Sequence, residues 1–171
     1  MRTELFDGVL YVDGSPYRGG EPAMTPSPFA RHQRIAGRLH VAIANHLDAV
    51  GGGEVFFELD SVFDERNVCR PDLLVVTDDQ REIIKGHIHG APKLVIEVLS
   101  DARDDRVRKR ATYARFGVVE YWIVDHEADR VEVYRLEHDR YGKPTLLESG
   151  DLLTTPILPG LEIDLTQLFR R

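Results

Sequence analysis

The stretch PKLVIEVLS, residues 92–100, places one glutamate inside an otherwise apolar run. The run from Lys93 to Leu99 predicts a central strand of a sheet. An ionised carboxylate in such a strand is costly unless it is paired, hydrogen-bonded or bound to a metal ion. Glu97 is therefore the residue for which the pattern most strongly indicates a functional role.

A second carboxylate stands at the beginning of another apolar strand. Asp72 directly follows Pro71 and precedes the run Leu73–Val76. If the two strands are neighbours, the carboxylates of Asp72 and Glu97 can converge. A hard cation such as Mg²⁺ takes oxygen ligands and commonly binds through one or two carboxylates and water. Either acid alone would also fit a strand end that faces solvent or an arginine, so the pair is more informative than its members.

Asp72 and Glu97 together resemble the PD-(D/E)XK nuclease signature. In that signature the two acids bind Mg²⁺, and a lysine two residues after the second acid assists the attacking water. The chain departs from the signature at Leu99, which stands at the lysine position. Because residues 97 and 99 share one face of a strand, an ammonium group is missing where the signature places it.

A closer resemblance is to the Uma-type family of endonucleases, and it covers roughly residues 20–170. The residues that carry it are PKLVIEVLS at 92–100, Lys109, Tyr113, Gly117-Val118, EYWIVD at 120–125 and LPGL at 158–161. This family usually lacks the lysine two residues after the acid as well, and carries one in the following helix. In this chain that lysine is Lys109.

The resemblance implies an α/β (α+β) fold of the restriction-endonuclease-like type, a mixed β-sheet flanked by helices, in a single domain over residues 1–171. It implies an endonuclease that uses Mg²⁺ or Mn²⁺ to hydrolyse phosphodiester bonds of nucleic acid, with DNA as the expected substrate. Asp72, Glu97 and the Val98 carbonyl would hold the metal, and Lys109 would orient the water or stabilise the transition state. A two-fold homodimer is expected, since cutting both strands of a duplex usually needs two active sites, and the family points the same way.

The helix predicted over residues 104–116 decides whether Lys109 can reach the Glu97 strand. Lys109, Tyr113 and Phe116 follow i, i+4, i+7 spacing and share one face of that helix. A rival stripe faces nearly the opposite way and consists of Val107, Ala111 and Ala114. Periodicity does not choose between the two faces, so Lys109 is either a site residue or a solvated helix lysine.

Other residues are candidates for the border of the site or for contacts with phosphates. Arg106 and Arg110 lie on the same predicted helix and are candidate phosphate contacts, because cations dominate such binding. A solvated surface is the plainer interpretation of any single arginine there. His32 and Tyr113 are candidates for the border of the site, although a half-buried, hydrogen-bonded histidine is the commoner arrangement. A second stripe of cations on the first long helix consists of Arg31, Arg34 and Arg38.

The rest of the pattern predicts helices and strands on both sides of this motif. The N-terminus to about Gly20 predicts a short strand or hairpin. A helix is predicted from Ser27 as N-cap, with Pro28 as its first residue, to the glycines at 51–53. The further predicted elements are a strand over Glu54–Asp64, a strand over 70–76, a short helix over 80–89, neighbouring strands over Val119–Asp125 and Arg130–Leu136, and a terminal turn around Leu165–Phe169.

Composition excludes several classes of protein. The single cysteine, Cys69, excludes an internal disulfide framework and a cysteine-rich zinc site, and it fits a reducing cytoplasm. A net charge of −7 excludes a uniformly basic nucleic-acid coat, but clustered cations can still hold a polyanion. No stretch has the apolar length of a signal peptide or the roughly 20 apolar residues of a membrane span, so a soluble cytoplasmic protein is expected.

Two other functions stay open on the sequence alone. The departure at Leu99 and the acidic charge fit a catalytically inactive nuclease fold kept as a nucleic-acid-binding or scaffolding module, which would bind no divalent metal. A closed pocket, in place of an open groove flanked by arginine-bearing helices, would indicate a hydrolase of small phosphoesters. For the nuclease, a buried acid cluster without its metal is strained, so replacing Glu97 is expected to leave the fold intact or to stabilise it.

Overall fold

The computed structural model describes residues 2–13, 15–19, 30–99 and 103–171. Along the first half of the chain the elements are β1 (Thr3–Phe6), β2 (Val9–Val12), β3 (Ser15–Pro16), α1 (Ala30–Val50), β4 (Gly53–Phe57), β5 (Ser61–Asp64), β6 (Asn67–Cys69), β7 (Leu73–Thr77), a 3₁₀ helix (Asp78–Ile83), β8 (Ile84–Lys85) and β9 (His87–His89). The second half has β10 (Leu94–Val98), α2 (Arg103–Phe116), β11 (Glu120–Asp125), β12 (Arg130–Glu137), β13 (Arg140–Tyr141), β14 (Thr145–Glu148), β15 (Leu152–Leu153), β16 (Ile163–Asp164) and α3 (Leu165–Phe169).

The described strands form two large sheets and one small one. The first sheet has the strand order β3-β2-β1-β6-β5-β9-β8, and the central sheet has the order β13-β12-β11-β10-β7-β4, with β14 beside β12. β15 and β16 pair with each other. Both large sheets are mixed, because β5 runs parallel to β9 and β10 runs parallel to β11 while the other pairs are antiparallel. The mixed sheet flanked by helices that the sequence predicted is confirmed.

Helix α1 covers one face of the central sheet. Its buried residues Ile35, Leu39, Ile43 and Leu47 recur at helical spacing and pack in one core with β7, β10 and α3. The helix ends at Gly51, which has a φ of 74° and donates its N–H to the Leu47 carbonyl at 2.7 Å. The predicted start of the helix falls on Ser27, Pro28 and Phe29, which lie outside the described residues.

β10 lies inside the central sheet, and all five of its residues are buried. Leu94, Ile96 and Val98 pack in the core with α1, while Val95 packs in a second core with α2. Because side chains alternate along a strand, Glu97 projects from the same face as Val95. The charge of Glu97 is therefore directed towards α2 and the first sheet.

The predicted strand over Glu54–Asp64 is wrong as a single element. Glu58 has a φ of 49°, and its N–H bonds to the Asp72 carbonyl at 3.0 Å, so the chain turns there. β4, before this turn, belongs to the central sheet, and β5, after it, belongs to the first sheet. The alternation of apolar residues continues across the break, which is why the pattern did not reveal it.

The predicted short helix over residues 80–89 is only partly present. A 3₁₀ helix occupies Asp78–Ile83, and the antiparallel strands β8 and β9 follow it. Gly86, with a φ of 81°, forms the turn between them, and Ile88 is fully buried. The predicted terminal turn over Leu165–Phe169 is the short helix α3, capped by the Asp164 carboxylate. Among the described residues, no helix is long and apolar enough to cross a membrane.

Candidate active site

The strands that carry Asp72 and Glu97 are hydrogen-bonded neighbours. β7 and β10 are antiparallel, with Leu73 opposite Ile96. Asp72 lies just before that pair and Glu97 just after it, so both acids stand at the same end of the two strands. The Val98 N–H donates to Oδ2 of Asp72 at 2.7 Å, which fixes the carboxylate against β10.

A single guanidinium group lies between the two acids. Nη1 of Arg2 is 3.2 Å from Oδ1 of Asp72, and Nη2 is 3.1 Å from Oε2 of Glu97. Nη2 also donates to the Arg70 carbonyl oxygen. Asp72 and Glu97 are 3% and 7% exposed, so this shared cation compensates two buried charges. Both carboxylates therefore converge on one cation position.

Lys109 lies on the inward face of α2. It is only 4% exposed, whereas Val107 on the rival stripe is 54% exposed, and this settles which face packs inward. Nζ of Lys109 is 3.1 Å from Oε1 of Glu97. The Tyr113 hydroxyl, one turn further along the helix, donates to the same oxygen at 2.9 Å. The ammonium group that Leu99 does not supply thus reaches Glu97 from the following helix.

Glu4 is a third buried carboxylate at this place, and it was not predicted from the sequence. It is 4% exposed, and its Oε2 lies 3.3 Å from Nζ of Lys109. A signal was present in β1, because Glu4 alternates with Phe6 on the buried face of that strand. A charge on an apolar face is the same anomaly that singles out Glu97. The position of Arg2 had no comparable signal in the sequence.

His32 borders the site from α1. It is buried, and its Nε2 is 3.3 Å from Oδ2 of Asp72. Burial opposes protonation of the imidazole, but the hydrogen bond and the charge of Asp72 outweigh burial and raise the pKa of His32. The histidine is thus both a buried, hydrogen-bonded side chain and a neighbour of a candidate ligand, so the two interpretations made from the sequence coincide.

Burial and charge move the pKa values of the two central acids apart. For Asp72, burial favours the neutral form, but the hydrogen bond with His32 and the charge of Arg2 outweigh it and lower the pKa. For Glu97, burial outweighs the charges of Lys109 and Arg2 and raises the pKa. Neighbouring acids with pKa values that differ in this way are frequent at functional sites.

The arginines predicted to contact phosphates have protein partners. Nη2 of Arg106 is 3.0 Å from Oε1 of Glu132, and Nη1 of Arg110 is 3.3 Å from the Tyr134 hydroxyl, both on β12. In the stripe on α1, Arg31 pairs with Asp129, and Arg38 donates to carbonyl groups near the C-terminus. These contacts place the arginines around the sheet, and none of them reaches the Asp72–Glu97 pair.

The chemistry of the acid pair fits a hard divalent cation. Asp72 and Glu97 contribute carboxylate oxygens, which Mg²⁺ and Mn²⁺ prefer, and one cation already bridges them in the form of the Arg2 guanidinium. Across the part of the chain that the structure describes, no group of three or more His, Cys, Asp or Glu side chains is arranged to hold a metal ion. The fit therefore rests on two carboxylates, and the remaining ligands would have to come from backbone and water.

A mixed sheet with two acids at adjacent strand ends and a lysine beside the second acid defines a restriction-endonuclease-like protein. The family described as "Uma2: Putative restriction endonuclease" matches residues 2–166. The chain belongs to this family, as the motifs in its sequence indicated.

A solved structure gives independent support for the fold. The crystal structure described as a putative nuclease belonging to DUF820, from Anabaena variabilis ATCC 29413, superposes with a TM-score of 0.78 and is 19% identical in sequence. The match covers 98% of this chain and 89% of that one. No curated protein matches the chain. The structural match confirms the fold, and the family supports a nuclease activity.

Proposed function

We propose that the chain is a metal-dependent endonuclease that hydrolyses phosphodiester bonds of nucleic acid, with DNA as its substrate. The observation that carries the proposal is the convergence of Asp72 and Glu97 on one cation position. Two buried acids that share a cation, with a lysine 3.1 Å from one of them, are the set of side chains that metal-assisted hydrolysis would need. Membership of the endonuclease family supports the same activity.

Asp72, Glu97 and the Val98 carbonyl would hold Mg²⁺ or Mn²⁺ in this proposal. Bound there, the metal would supply Lewis acidity, lowering the pKa of water and offsetting the charge of the scissile phosphate. Asp72 is prepared for this role because His32 and the Val98 N–H both fix Oδ2, which leaves Oδ1 directed at the cation position. The Tyr113 hydroxyl fixes one oxygen of Glu97 in the same way.

Lys109 would supply positive charge beside the reacting phosphate. Its ammonium group is buried, so its interaction with an anion is screened less than that of a surface lysine. A fixed charge in a site with little water stabilises charge that develops in the transition state. Lys109 would therefore orient the attacking water or stabilise the transition state, in place of the lysine absent at Leu99.

Nucleic acid would be contacted by cations around this site, and Arg106 and Arg110 remain proposed phosphate contacts. Their side chains would then exchange their partners on β12 for phosphate oxygens, which accept stronger hydrogen bonds from arginine. We also propose a two-fold homodimer, because one active site per chain cuts one strand of a duplex. Light scattering that gives the mass of two chains would support the dimer, and the mass of one chain would contradict it.

A cleavage assay tests the proposal. Supercoiled plasmid and a single-stranded oligonucleotide are incubated with Mg²⁺ or Mn²⁺ and the wild type, Glu97→Gln or Asp72→Asn. Asp79→Asn is the matched control, because Asp79 is an exposed acid on the 3₁₀ helix and pairs with Lys93. We expect metal-dependent cutting by the wild type and the control, and none by the two site variants. Equal cutting by all four proteins would contradict the proposed site.

A catalytically inactive nucleic-acid-binding module is the second candidate, and one observation favours it. Arg2 already compensates both acids without a metal, as a chain that has lost metal binding would require. Such a module would shift nucleic acid in a mobility assay equally with Mg²⁺ and with a chelator, and would cut nothing. Retardation that depends on metal, together with cutting, would remove this candidate.

A further inference from the structure

We infer that Glu4 is a positioning residue of the reaction, which holds the Lys109 ammonium group in place beside Glu97. The inference rests on the proposed nuclease function and adds a residue to it that no motif in the sequence supplied. Glu4 lies on β1, in the N-terminal hairpin, far along the chain from both residues that it serves. Three features of its environment support this role.

The first feature is that Lys109 lies between two carboxylates. Its Nζ is 3.1 Å from Oε1 of Glu97 and 3.3 Å from Oε2 of Glu4. Both glutamates and the lysine are buried, with exposures of 7%, 4% and 4%. An ammonium group in such surroundings takes the position that its anions define, because water does not compete for it.

The second feature is that the Glu4 carboxylate is itself held in a fixed orientation. Its Oε1 accepts the backbone N–H of Arg70 at 3.0 Å, which leaves Oε2 directed at Lys109. Arg2 approaches the same Oε1 at 3.5 Å. A carboxylate anchored through one oxygen to the backbone can direct the other oxygen with little freedom, so Glu4 fixes a place for the ammonium group rather than following it.

The third feature is that the hairpin has other attachments to α2. Asp7 pairs with Arg115 at 3.0 Å, and the Arg108 guanidinium lies over the Tyr11 and Phe6 rings at 3.8 and 4.8 Å. These contacts dock the hairpin on the helix without any charge at position 4. Burying a carboxylate there is therefore not needed for docking, and its cost points to a role at Lys109.

The arrangement also explains how Lys109 would stay in place during the reaction. In the proposed function, Glu97 would share its charge with the metal and would so become a weaker partner for the lysine. Glu4 would then remain as an anion that keeps the ammonium group near the phosphate. Without Glu4 the ammonium group would be held less closely, and its charge would be less well preorganised.

The test compares Glu4→Gln, Lys109→Ala and the double variant in single-turnover cleavage at saturating Mn²⁺. Glutamine keeps the acceptor for the Arg70 N–H but removes the charge opposite Lys109. We expect Glu4→Gln to lower the cleavage rate about 10- to 100-fold, the range for groups that orient an active-site residue, while substrate and Mn²⁺ affinity change by less than about threefold. The double variant is expected to be no slower than Lys109→Ala alone.

Asp7→Asn is the matched control, since it removes one negative charge and one ion pair with α2 from the same hairpin. It is expected to cut like the wild type. The inference would be overturned if the fold losses in cleavage rate of Glu4→Gln and Lys109→Ala multiplied in the double variant. It would also be overturned if Glu4→Gln cut at the same rate as Asp7→Asn. Glu4→Asp, which is one methylene shorter, should recover less than half of the lost rate if distance to Lys109 matters, and full recovery would count against positioning.

A second readout separates failure of this inference from failure of the proposed function. The unfolding free energies of the wild type, Glu4→Gln, Lys109→Ala and the double variant, measured in a chelator, form a double-mutant cycle that needs no activity. If the wild type cuts nothing, the proposed function fails and the positioning role fails with it, whatever the cycle shows. If the wild type cuts but the cycle gives no coupling between Glu4 and Lys109, the inference alone fails.

Discussion

The surroundings of Glu97 explain how a carboxylate is tolerated inside the central sheet. Its oxygens receive the Tyr113 hydroxyl, the Lys109 ammonium and the Arg2 guanidinium, at distances between 2.9 and 3.3 Å. These partners offset part of the cost of burying the acid, although burial still outweighs them and raises the pKa of Glu97, whereas the sequence suggested an acid without such partners until a metal binds. The expected effect of replacing it on stability changes accordingly.

Glu97→Gln is now expected to destabilise the metal-free protein. Removing the charge leaves Lys109 and Arg2 with less compensation, and breaking a buried ion pair on one side costs about 3–5 kcal/mol. Chemical denaturation in a chelator measures the difference in the free energy of unfolding. An unchanged or higher stability would show that Glu97 is strained, as first expected from the sequence, and that its partners contribute little.

Arg2→Ala is expected to raise the affinity for Mn²⁺. The guanidinium occupies the cation position between Asp72 and Glu97, so a metal ion must compete with it. Removing the competitor should tighten binding roughly tenfold, which corresponds to about 1.4 kcal/mol. Titration calorimetry gives the affinity, and Arg66→Ala is the control because Arg66 contacts the Asp7 carbonyl on the exposed side of the hairpin. Weaker binding by Arg2→Ala would mean that Arg2 supports the metal site.

The sequence predicted those site residues whose chemistry conflicts with their local pattern. Glu97 is a charge in an apolar strand and Asp72 begins another, whereas Lys109 was indicated by the family resemblance, because its helical spacing left two faces open. Arg2 and Glu4 enter through the pairing of β1 with β6, a contact between distant parts of the chain with Leu5 opposite Val68. Such pairings depend on the tertiary fold, so the pattern of β1 marks Glu4 as a charge on a buried face but does not show that this face meets Lys109.

At the scale of elements, the site is built on parts of the protein with little freedom. β7 and β10 are buried along their whole length, and α1 presses His32 against the end of β7. A site supported by strands and helices is held more closely than one on loops. Two glycines, one in α1 and one in β4 beside β7, differ in how closely the backbone around them is packed, and they lead to opposite predictions.

Gly37→Ala is expected to stabilise the protein and Gly53→Ala to destabilise it. A Cβ at Gly37, inside α1, would meet no atom within 4 Å beyond its chain neighbours and the backbone of its own helix, so alanine should gain about 0.5–1 kcal/mol of helix stability. A Cβ at Gly53, at the start of β4, would overlap the Val76 carbonyl oxygen and force β4 away from β7. Thermal denaturation of the two variants checks both signs, and the same sign for both would contradict this description of the packing.

Elements were predicted well where one pattern extends over one element, and poorly where it continues across a break. The described part of α1, α2, β10 and the β11–β12 pair lie where they were predicted, because a single pattern spans each of them. The alternation through residues 54–64 hides a change of sheet, since both sheets demand the same period of two. The left-handed backbone at Glu58 decides the break, and glutamate gives no sign of it.

At the scale of the whole molecule, an acidic chain carries its cations where they compensate buried acids. The net charge is −7, yet Arg2, Lys109 and His32 surround three carboxylates in one place. The fold is that of its family, and the single domain over residues 1–171 stays a prediction. If the chain cuts DNA as proposed, it would approach DNA through local groups of cations, and we expect the cleavage rate to fall steeply as salt rises.

Calorimetric titration of Mn²⁺ into the wild type and into Glu97→Gln, each purified free of metal, tests whether Asp72 and Glu97 bind a metal ion. We expect one binding site per chain in the wild type and a loss of that site in the variant, at a temperature where both proteins are folded. Equal binding by the two proteins would place the metal elsewhere. No binding by either would show that Arg2 compensates the acid pair permanently and that the chain is not a metal-dependent nuclease.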